Sequence, residues 1–437
     1  MSATAVPSRP AATITGIGLV TPLGRKVEEV FDALCAGRSG LSRPAEGHPV
    51  AGWLDVAGIA PGVDASEVLP ATEARAVDRF VLLAMAAADD AVADARLEIG
   101  RDVDPERVAV VVSTGGGGLE TYERYAAARR DRGRPAVSPY LLPGMLSNMA
   151  AARIAIKYGI RGYSSSISTA CSAGAQSVAE ALRLIRGGEA DVVVCGGTDA
   201  PLHPTIAAAF TNARALAHGW DDPTRASRPF DRARNGFVLG EGAGILVVER
   251  SGLADDRGAA GYADLLGWAA TTDAHHPTTP RPDGLGAAAA MRRAVADAGL
   301  SPSDVDYVNA HGTGTPLGDP AEAAAIRAVF GDPGPAVSSV KALTGHLLGG
   351  SGVVEAAATA LSVGRGVLPP TANLDEPDPA CALDHVRGAP RVGPVRVAVT
   401  NSFAFGGHNI SLVLGRPCTR STRSGTVPQS TTGPSRG

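Results

Sequence analysis

Residues 172–197, SAGAQSVAEALRLIRGGEADVVVCGG, combine a helix pattern and a strand pattern with a short turn between them. Val178, Leu182 and Ile185 recur at the spacing of one helix face, and the two glycines that follow are typical of a helix end. The apolar run at 191–197 is typical of a strand that is buried on both faces. A helix that leads directly into a buried strand indicates an α/β fold whose sheet is covered by helices.

The same alternation continues along the chain. Further buried strands are predicted at 108–113, 242–250 and 395–403, and further helices at 80–95, 287–300 and 353–366. A glycine-rich turn that opens a helix of small residues occurs twice, at 171–188 and at 345–366. We therefore expect two similar α/β halves, residues 12–255 and 256–416, between disordered ends at 1–11 and 417–437 that are rich in Ser, Thr, Pro and Gly.

The composition excludes several classes of protein. The 437 residues are 44% hydrophobic, which is typical of a globular chain, and the net charge of −4 argues against a nucleic-acid partner. The five cysteines form no CxxC pair, so neither a disulfide framework nor a zinc site is predicted, and the adjacent His275 and His276 are poorly placed to chelate a metal. No signal peptide or long apolar run is present, so we expect a cytoplasmic protein without membrane contact.

Four segments contain more glycine, histidine and hydroxyl residues than a core requires. They are STACSAG around Cys171, NAHGTGTPLGDPAE around His311, SSVKALTGHLLGGSGVVEA around Lys341 and His346, and TNSFAFGGHN at 400–409. A cysteine at the start of a helix is favoured as a thiolate, and histidines in polar loops suit hydrogen bonding to developing negative charge. These residues fit acyl transfer, although the pattern around Cys171 taken alone favours a buried small hydrophobe over a nucleophile.

Taken together, TACSAG, NGFVLGEGAGILVVE, NAHGTGTPLGDPAE, KALTGHLLGGSGVVEA and NSFAFGGHN resemble the signature motifs of the β-ketoacyl-acyl-carrier-protein synthases. The resemblance is to the elongating, Cys-His-His type of the thiolase-like superfamily, and it extends from about residue 12 to 416. It implies a layered α-β-α-β-α core. It also implies decarboxylative Claisen condensation of a cysteine-bound acyl chain with a malonyl group. No cofactor is implied other than the phosphopantetheine of the carrier protein.

By this resemblance, Cys171 is the acyl-accepting nucleophile. His311 and His346 match the two histidines that assist decarboxylation and stabilise the enolate oxygen. Lys341 and Glu355 match a supporting lysine and its paired glutamate. A charged lysine in that place would stabilise neighbouring anionic groups.

Other motif positions surround these reacting groups. The backbone N–H groups of Cys171 and Phe405 match the oxyanion hole. Phe403 and Phe405 match a gating loop in which Ala404 stands where the family usually has glycine, and the added Cβ restricts the backbone. The resemblance further assigns pantetheine binding to Thr313 and Thr315, polar positions of the entrance loop to His276 and Thr278, and orientation of the loop after His311 to Asp319 and Glu322.

Two features bear on substrate and partner. In STGGGGLE (113–120), Gly116 occupies a position that often carries a branched side chain at the end of the acyl pocket. We expect a deeper pocket for long or rigid chains such as polyketide intermediates, unless Leu141 or Leu142 of a partner subunit fills the space. Because carrier proteins are acidic, basic clusters are candidate docking sites. These are Arg129, Arg130, Arg132 and Arg134, and also Arg75 and Arg79.

Several alternatives remain open from the sequence. The same scaffold could transfer acyl groups without forming a carbon–carbon bond, although the two intact histidines argue against that. The chain could be the active member of a heterodimer with a non-catalytic chain-length partner, or it could form a homodimer. A biosynthetic thiolase fits the histidine motifs less well. Fatty-acid and polyketide pathways are not separated by these motifs.

Overall fold

The computed structural model describes residues 12–74 and 77–417. In these residues the strands are β1 Ala12–Val20, β2 Leu41–Ser42, β3 Ala57–Gly58, β4 Val108–Ser113, β5 Ser164–Ser165, β6 Val192–Asp199, β7 Gly242–Arg250, β8 Ala263–Thr272, β9 Tyr307–Asn309, β10 Ala336–Ser338, β11 Val367–Leu368, β12 Asp384–His385, β13 Arg391–Val392, β14 Val397–Ala404 and β15 His408–Gly415. The helices are α1 Val27–Cys35, α2 Ala65–Val68, α3 Ala71–Ala74, α4 Arg79–Ala95, α5 Leu119–Arg132, α6 Leu141–Met145, α7 Met149–Tyr158, α8 Ala173–Arg186, α9 Pro204–Asn212, α10 Ser251–Asp256, α11 Leu285–Asp297, α12 Gly318–Phe330, α13 Lys341–Thr344 and α14 Ser351–Arg365.

The main sheet has two parts with the same internal arrangement. Its strand order is β12-β10-β9-β14-β15-β8-β1-β7-β6-β4-β5. From the centre outward, one part runs β1, β7, β6, β4, β5 and the other runs β8, β15, β14, β9, β10. In each part the first two pairings are antiparallel and the next two are parallel. The two parts meet where β1 pairs with β8, so the expected halves share one hydrogen-bonded sheet.

Helices cover the sheet in three layers. The central helices α8 and α14 contact each other, and each of them contacts strands of both parts of the sheet. On the outer faces, α4 and α7 pack against one part and α11 packs against the other, with α12 beside it. Apolar residues line both sides of the sheet, which explains the continuous hydrophobic runs of β4 and β6. The expected α-β-α-β-α layering is therefore present.

The predicted elements have the predicted types. The strands at 108–113 and 242–250 have the predicted bounds, whereas β6 continues to Asp199 because Thr198 and Asp199 remain paired with β7. The four predicted helices are present, with ends that differ by up to three residues. The predicted disorder at 1–11 and beyond 417 lies outside the described residues. Within the described ranges, no helix is long and apolar enough to cross a membrane.

Candidate active site

Cys171 lies at the junction where the chain enters central helix α8. It belongs to a 3₁₀ turn, Ala170–Ser172, and the preceding Ala170 has a φ of 49°, a left-handed conformation that side chains other than glycine rarely adopt. The backbone N–H groups of Phe405 and of Cys171 itself face the sulfur and favour its thiolate form. Two convergent N–H donors at one atom are the arrangement that stabilises an oxyanion or a thiolate.

The resting thiol is protonated. Burial and the nearby Asp199 carboxylate raise the pKa of Cys171 to about 12, although Lys341 and the two N–H donors act in the opposite direction. The expectation of an acidic cysteine is therefore wrong for this state. The physical reason is that α8 begins only at Ala173, and that the segments covering the half-buried thiol reduce the solvation of a thiolate beside the Asp199 carboxylate.

The sulfur lies in a cavity of about 450 Å³ that also contains most of the predicted site residues. Those that line it with Cys171 are His276, Thr278, His311, Thr313, Thr315, Asp319, Glu322, His346, Phe403, Ala404 and Phe405. Lys341 and Glu355 are not part of the lining and lie directly behind His311. Segments far apart in the sequence thus form one site.

The two histidines face the cavity as neutral hydrogen-bond donors. Their rings are nearly perpendicular, with centroids 5.4 Å apart. Burial, followed by the positive charge of Lys341, lowers the pKa of both His311 and His346 well below the ordinary value. Both imidazoles are therefore neutral at physiological pH.

Neighbouring groups define which ring nitrogen of each histidine carries the proton. Lys341 Nζ can only donate and lies 3.3 Å from His311 Nδ1, so the proton of His311 is on Nε2. Ser351 Oγ accepts from Leu347 N–H at 2.8 Å, and among the described residues its only other hydrogen-bond partner is His346 Nδ1 at 2.9 Å, which therefore receives the hydroxyl hydrogen. The proton of His346 is therefore also on Nε2.

Buried carboxylates hold the backbone around the histidines. Lys341 donates to Glu355 and to the carbonyl oxygen of His311, the latter at 2.6 Å. Glu322 accepts from the backbone N–H groups of His311 and Gly312 at 2.8 and 2.7 Å. Burial raises the pKa of Glu322 and of Glu355 to about 7 in each case. Together these contacts hold His311 in place from two sides.

The hairpin between β14 and β15 closes the cavity above the sulfur. Ala404 has a φ of −122° and a ψ of 161°, which are ordinary values for alanine, so its Cβ causes no strain in this conformation. Gly406 and Gly407 have φ values of 84° and 73°, which favour glycine. Gly406 N–H donates to Pro277 O at 2.7 Å, and this bond ties the hairpin to the entrance loop that contains His276 and Thr278.

Gly116 lies outside the lining of this cavity. It is exposed in the single chain, and its N–H donates to Asp199 at 3.1 Å. A Cβ built at this position would make ordinary contacts, 3.6 Å to Leu119 and 3.7 Å to Asp199. The backbone therefore has room for a side chain here, and the assignment of Gly116 to the acyl pocket stays a prediction.

The basic residues differ in their surroundings. Arg129, Arg130, Arg132 and Arg134 are exposed at the end of α5 and in the next turn, and within the described chain none of them forms an ion pair. Arg79 instead forms two hydrogen bonds with Glu241, at 2.8 and 2.6 Å. Arg75 lies outside the described residues. Arg214, an exposed residue that lines the cavity and has a φ of 54°, was not predicted because no motif marks it.

No group of three or more His, Cys, Asp or Glu side chains within residues 12–74 and 77–417 is arranged to hold a metal ion. Cys195 is fully buried in β6 and fills a core position, as its apolar strand predicted.

This fold and site define a condensing enzyme of the thiolase-like class, with two matching α/β halves whose loops meet over a half-buried cysteine. The chain matches the family model of the β-ketoacyl synthase N-terminal domain over residues 11–254 and that of the C-terminal domain over residues 262–375. It belongs to the β-ketoacyl synthase family. The resemblance seen in the motifs and the condensing acyltransferase activity that it implies are confirmed. The boundary expected near residue 255 stays a prediction.

Named relatives support membership of the β-ketoacyl synthase family. The 3-oxoacyl-[acyl-carrier-protein] synthase 2 of Synechocystis sp. (strain PCC 6803) is 42% identical over 403 residues, which cover 92% of this chain and 97% of the relative. Two structures match with TM-scores of 0.86, and each match covers 94% of this chain and all of the other. One, 30% identical, is of a type II polyketide synthase acyl-carrier protein in complex with its ketosynthase bound to the hexaketide. The other, 34% identical, is of the ishigamide ketosynthase/chain length factor.

Proposed function

We propose that the protein elongates acyl chains delivered by an acyl carrier protein, with Cys171 as the acyl-accepting nucleophile and His311 and His346 as donors to the enolate oxygen. The observation that carries this proposal is the shared cavity, in which two neutral imidazoles lie in one site with a thiol whose thiolate form is favoured by two backbone N–H groups.

The first step transfers the acyl group to the enzyme. The Cys171 sulfur forms a bond to the thioester carbon, the bond from that carbon to the pantetheine sulfur breaks, and the departing sulfur gains the proton that Cys171 loses. Because one thiol replaces another, the net reaction requires no dedicated base. The backbone N–H groups of Cys171 and Phe405 stabilise the oxygen of the tetrahedral intermediate.

The second step forms the carbon–carbon bond. The bond between the malonyl α-carbon and its carboxylate breaks, carbon dioxide leaves, and the electron pair remains as an enolate. Two neutral N–H donors stabilise the enolate oxygen in a cavity with little water. The α-carbon then attacks the Cys171 thioester, the bond from the acyl carbon to the sulfur breaks, and the departing thiolate takes up a proton from solvent. An acyltransferase that forms no carbon–carbon bond has no need of the second donor, so the pair of histidines favours condensation.

The remaining site residues support these steps. Lys341 and Glu355 orient His311 electrostatically, while Thr313 and Thr315 offer hydroxyl groups to the pantetheine amides inside the cavity. Phe403, Ala404 and Phe405 form the gate that must move to admit an acyl chain. His276 and Thr278 line the route by which phosphopantetheine enters. The enzyme then needs no cofactor of its own.

The direct test is intact-protein mass spectrometry after incubation with acyl carrier proteins. A mass increase equal to the acyl group, mapped by digestion to the peptide that contains Cys171, supports the proposal. Stoichiometric labelling of another residue, or a condensation product formed without any acyl-enzyme, contradicts it.

We further propose that Gly116 lengthens the acyl pocket and that the substrates are long or rigid chains, such as polyketide intermediates. Gly116→Ile should lower the rate of loading for the longest accepted chains by about tenfold or more, since a single methylene in an apolar pocket is worth roughly 10- to 200-fold. Loading of short chains should remain within about twofold of the wild-type rate.

Gly116→Ala is the graded control for this prediction, because a single methyl group occupies far less of the pocket. The measurement is the rate of acyl-enzyme formation for carrier proteins that differ only in chain length. Equal losses for short and long chains would show that the isoleucine disturbs Asp199 or Leu119 and does not shorten the pocket.

The carrier protein docks, in this proposal, on the arginine cluster at 129–134. Arg129→Glu combined with Arg130→Glu should raise KM for the carrier protein about tenfold and leave kcat unchanged, because unpaired surface charges steer association without touching the reacting atoms. The effect should shrink as the salt concentration rises. Arg38→Glu combined with Arg293→Glu makes the same change in charge at exposed arginines elsewhere. If that control raises KM equally, net charge and not the cluster controls docking.

A second subunit of the same fold would cover the end of the sheet at β5. Of the twelve exposed large apolar side chains among the described residues, seven lie between residues 119 and 163, on the elements that flank this strand: Leu119, Tyr122, Tyr140, Leu142, Leu146, Ile156 and Tyr163. Such a concentration is typical of a subunit interface. An identical copy and a chain-length-factor-like partner are both compatible with this surface, and the mass of the native complex distinguishes them.

A further inference from the structure

Asp199 is a buried carboxylate at the end of β6 that the proposed mechanism does not use. Its side chain is only 2% exposed, and its two oxygens accept four hydrogen bonds. Oδ1 accepts from Thr114 Oγ1 at 2.6 Å and from Gly116 N–H at 3.1 Å. Oδ2 accepts from Gly115 N–H at 2.8 Å and from Gly349 N–H at 2.6 Å. All four donors are neutral, and no lysine or arginine among the described residues forms an ion pair with Asp199.

These bonds join two segments that are far apart in the sequence. Residues 114–117 follow β4 and contain Gly116, and Leu348–Gly350 form the turn directly after His346. The two segments touch, because a Cβ placed on Gly349 would lie 2.7 Å from the nitrogen of Gly115 and from Asp199 Oδ2. No side chain larger than hydrogen fits at position 349 without moving one of them.

The glycine loop that binds Asp199 is also close to the nucleophile, Cys171. A Cβ on Gly115 would lie 3.4 Å from the carbonyl oxygen of Ala170, the residue before Cys171. Asp199 is also the main charged group that raises the pKa of the thiol, second only to burial. An anion in that position costs energy through desolvation, so four donors that all converge on it indicate a specific task.

We propose that Asp199 is a positioning residue that fastens the glycine loop at 115–116 to the turn that follows His346, so that the far end of the acyl pocket and the decarboxylation site are held as one unit. This inference rests on the proposed roles of His346 and Gly116. It makes Asp199 a link between chain-length selection and the placement of the enolate donor.

Asp199→Asn is the decisive variant, since the amide has the same shape but only one oxygen. Its NH₂ group must face two of the four donors, so two hydrogen bonds are lost. Backbone hydrogen–deuterium exchange, read by mass spectrometry, should become at least about tenfold faster in both segments, 114–118 and 346–350. Glu249→Gln is the matched control, because Glu249 is a fully buried carboxylate on β7 that is bound by Arg257 and Thr15 outside the cavity.

Two further readouts separate positioning from a general loss of stability. With Asp199→Asn, kcat for malonyl decarboxylation should fall about tenfold while KM for the carrier protein stays within twofold. The midpoint of the pH profile for iodoacetamide labelling of Cys171 should move to lower pH, because removing a negative charge lowers the pKa of the thiol. Exchange that stays at the wild-type rate in either segment, or a kcat within twofold of wild type, overturns the proposal.

The exchange experiment needs no substrate, so it tests Asp199 even if the wild-type protein fails to decarboxylate malonyl groups, which would count against the proposed function alone. If Asp199→Asn does not fold, Thr114→Val replaces it, since valine keeps the volume and removes the hydroxyl that donates to Asp199 and accepts from Gly117 N–H at 3.0 Å. Because the lost Gly117 bond speeds exchange at 114–118 by itself, the readout is segment 346–350, to which the Thr114 hydroxyl makes no hydrogen bond. Faster exchange at 346–350 supports the proposal, and wild-type exchange there overturns it.

Discussion

Cys171→Ala will carry no acyl group after incubation with any acyl carrier protein, and condensation will fall about 10³-fold or more. The acyl-enzyme cannot form without the sulfur. Two carrier-bound thioesters would then have to react directly, in one difficult step instead of the two easier steps that the covalent intermediate allows. The loss of one sulfur atom should hardly change the fold, since the smaller alanine fits the space that the cysteine occupies.

The same variant should still decarboxylate malonyl carrier protein, within about tenfold of the wild-type rate. His311 and His346 provide the enolate donors, and neither hydrogen-bonds to the thiol in the resting state. Intact-protein mass and carbon dioxide release measure the two half-reactions separately. Cys195→Ala is the control, because that thiol is buried in β6 away from the cavity. Acyl loading that survives in Cys171→Ala would remove the central residue of the proposed mechanism.

His346→Ala should have the opposite effect to Cys171→Ala: acyl loading of Cys171 is retained, and decarboxylation is reduced about 10²- to 10³-fold. Removal of one preorganised donor to a developing oxyanion costs about 2.7–4 kcal/mol of transition-state stabilisation. His311→Ala should behave in the same way, because its Nε2–H has the same role. Its neighbour Lys341 keeps bonds to Glu355 and to the backbone carbonyl of residue 311, so the buried ammonium group retains two partners.

The measurements for the histidine variants are single-turnover acyl transfer and carbon dioxide release, each compared with the thermal midpoint of unfolding. His218→Ala is the matched control, because His218 is exposed and does not line the cavity. If either active-site variant loses acyl loading as completely as decarboxylation, the histidines act on the nucleophile and not on the enolate. If both retain decarboxylation, another group must stabilise the enolate oxygen.

Local patterns were sufficient to predict the elements that hold the site. Apolar spacing identified α8, and the valine-rich runs identified β4 and β7 to the residue. Strand and helix periodicities are properties of neighbouring residues, so they can be recognised in the sequence without knowledge of tertiary contacts. The motif set went further and named Cys171, His311 and His346, all of which line the one cavity.

The properties that depend on packing could not be read in the same way. The sequence favoured an acidic cysteine, but burial raises its pKa, and burial depends on which segments cover the thiol. The sequence placed Arg79 in a candidate basic docking patch, but in the structure its guanidinium is paired with Glu241. No sequence motif marks Asp199, since its four donors come from residues 83 to 150 positions away.

The sequence by itself determined the α/β class, the order of the principal strands and helices, the family and the candidates for the reacting side chains. Only the tertiary structure decided how these side chains act: which nitrogen of each imidazole carries the proton, which charges are paired, and which loops are fastened to one another. The reason is physical. Periodicity and motif are local, whereas solvation, protonation and hydrogen bonding at a site depend on atoms that the fold brings together from distant parts of the chain.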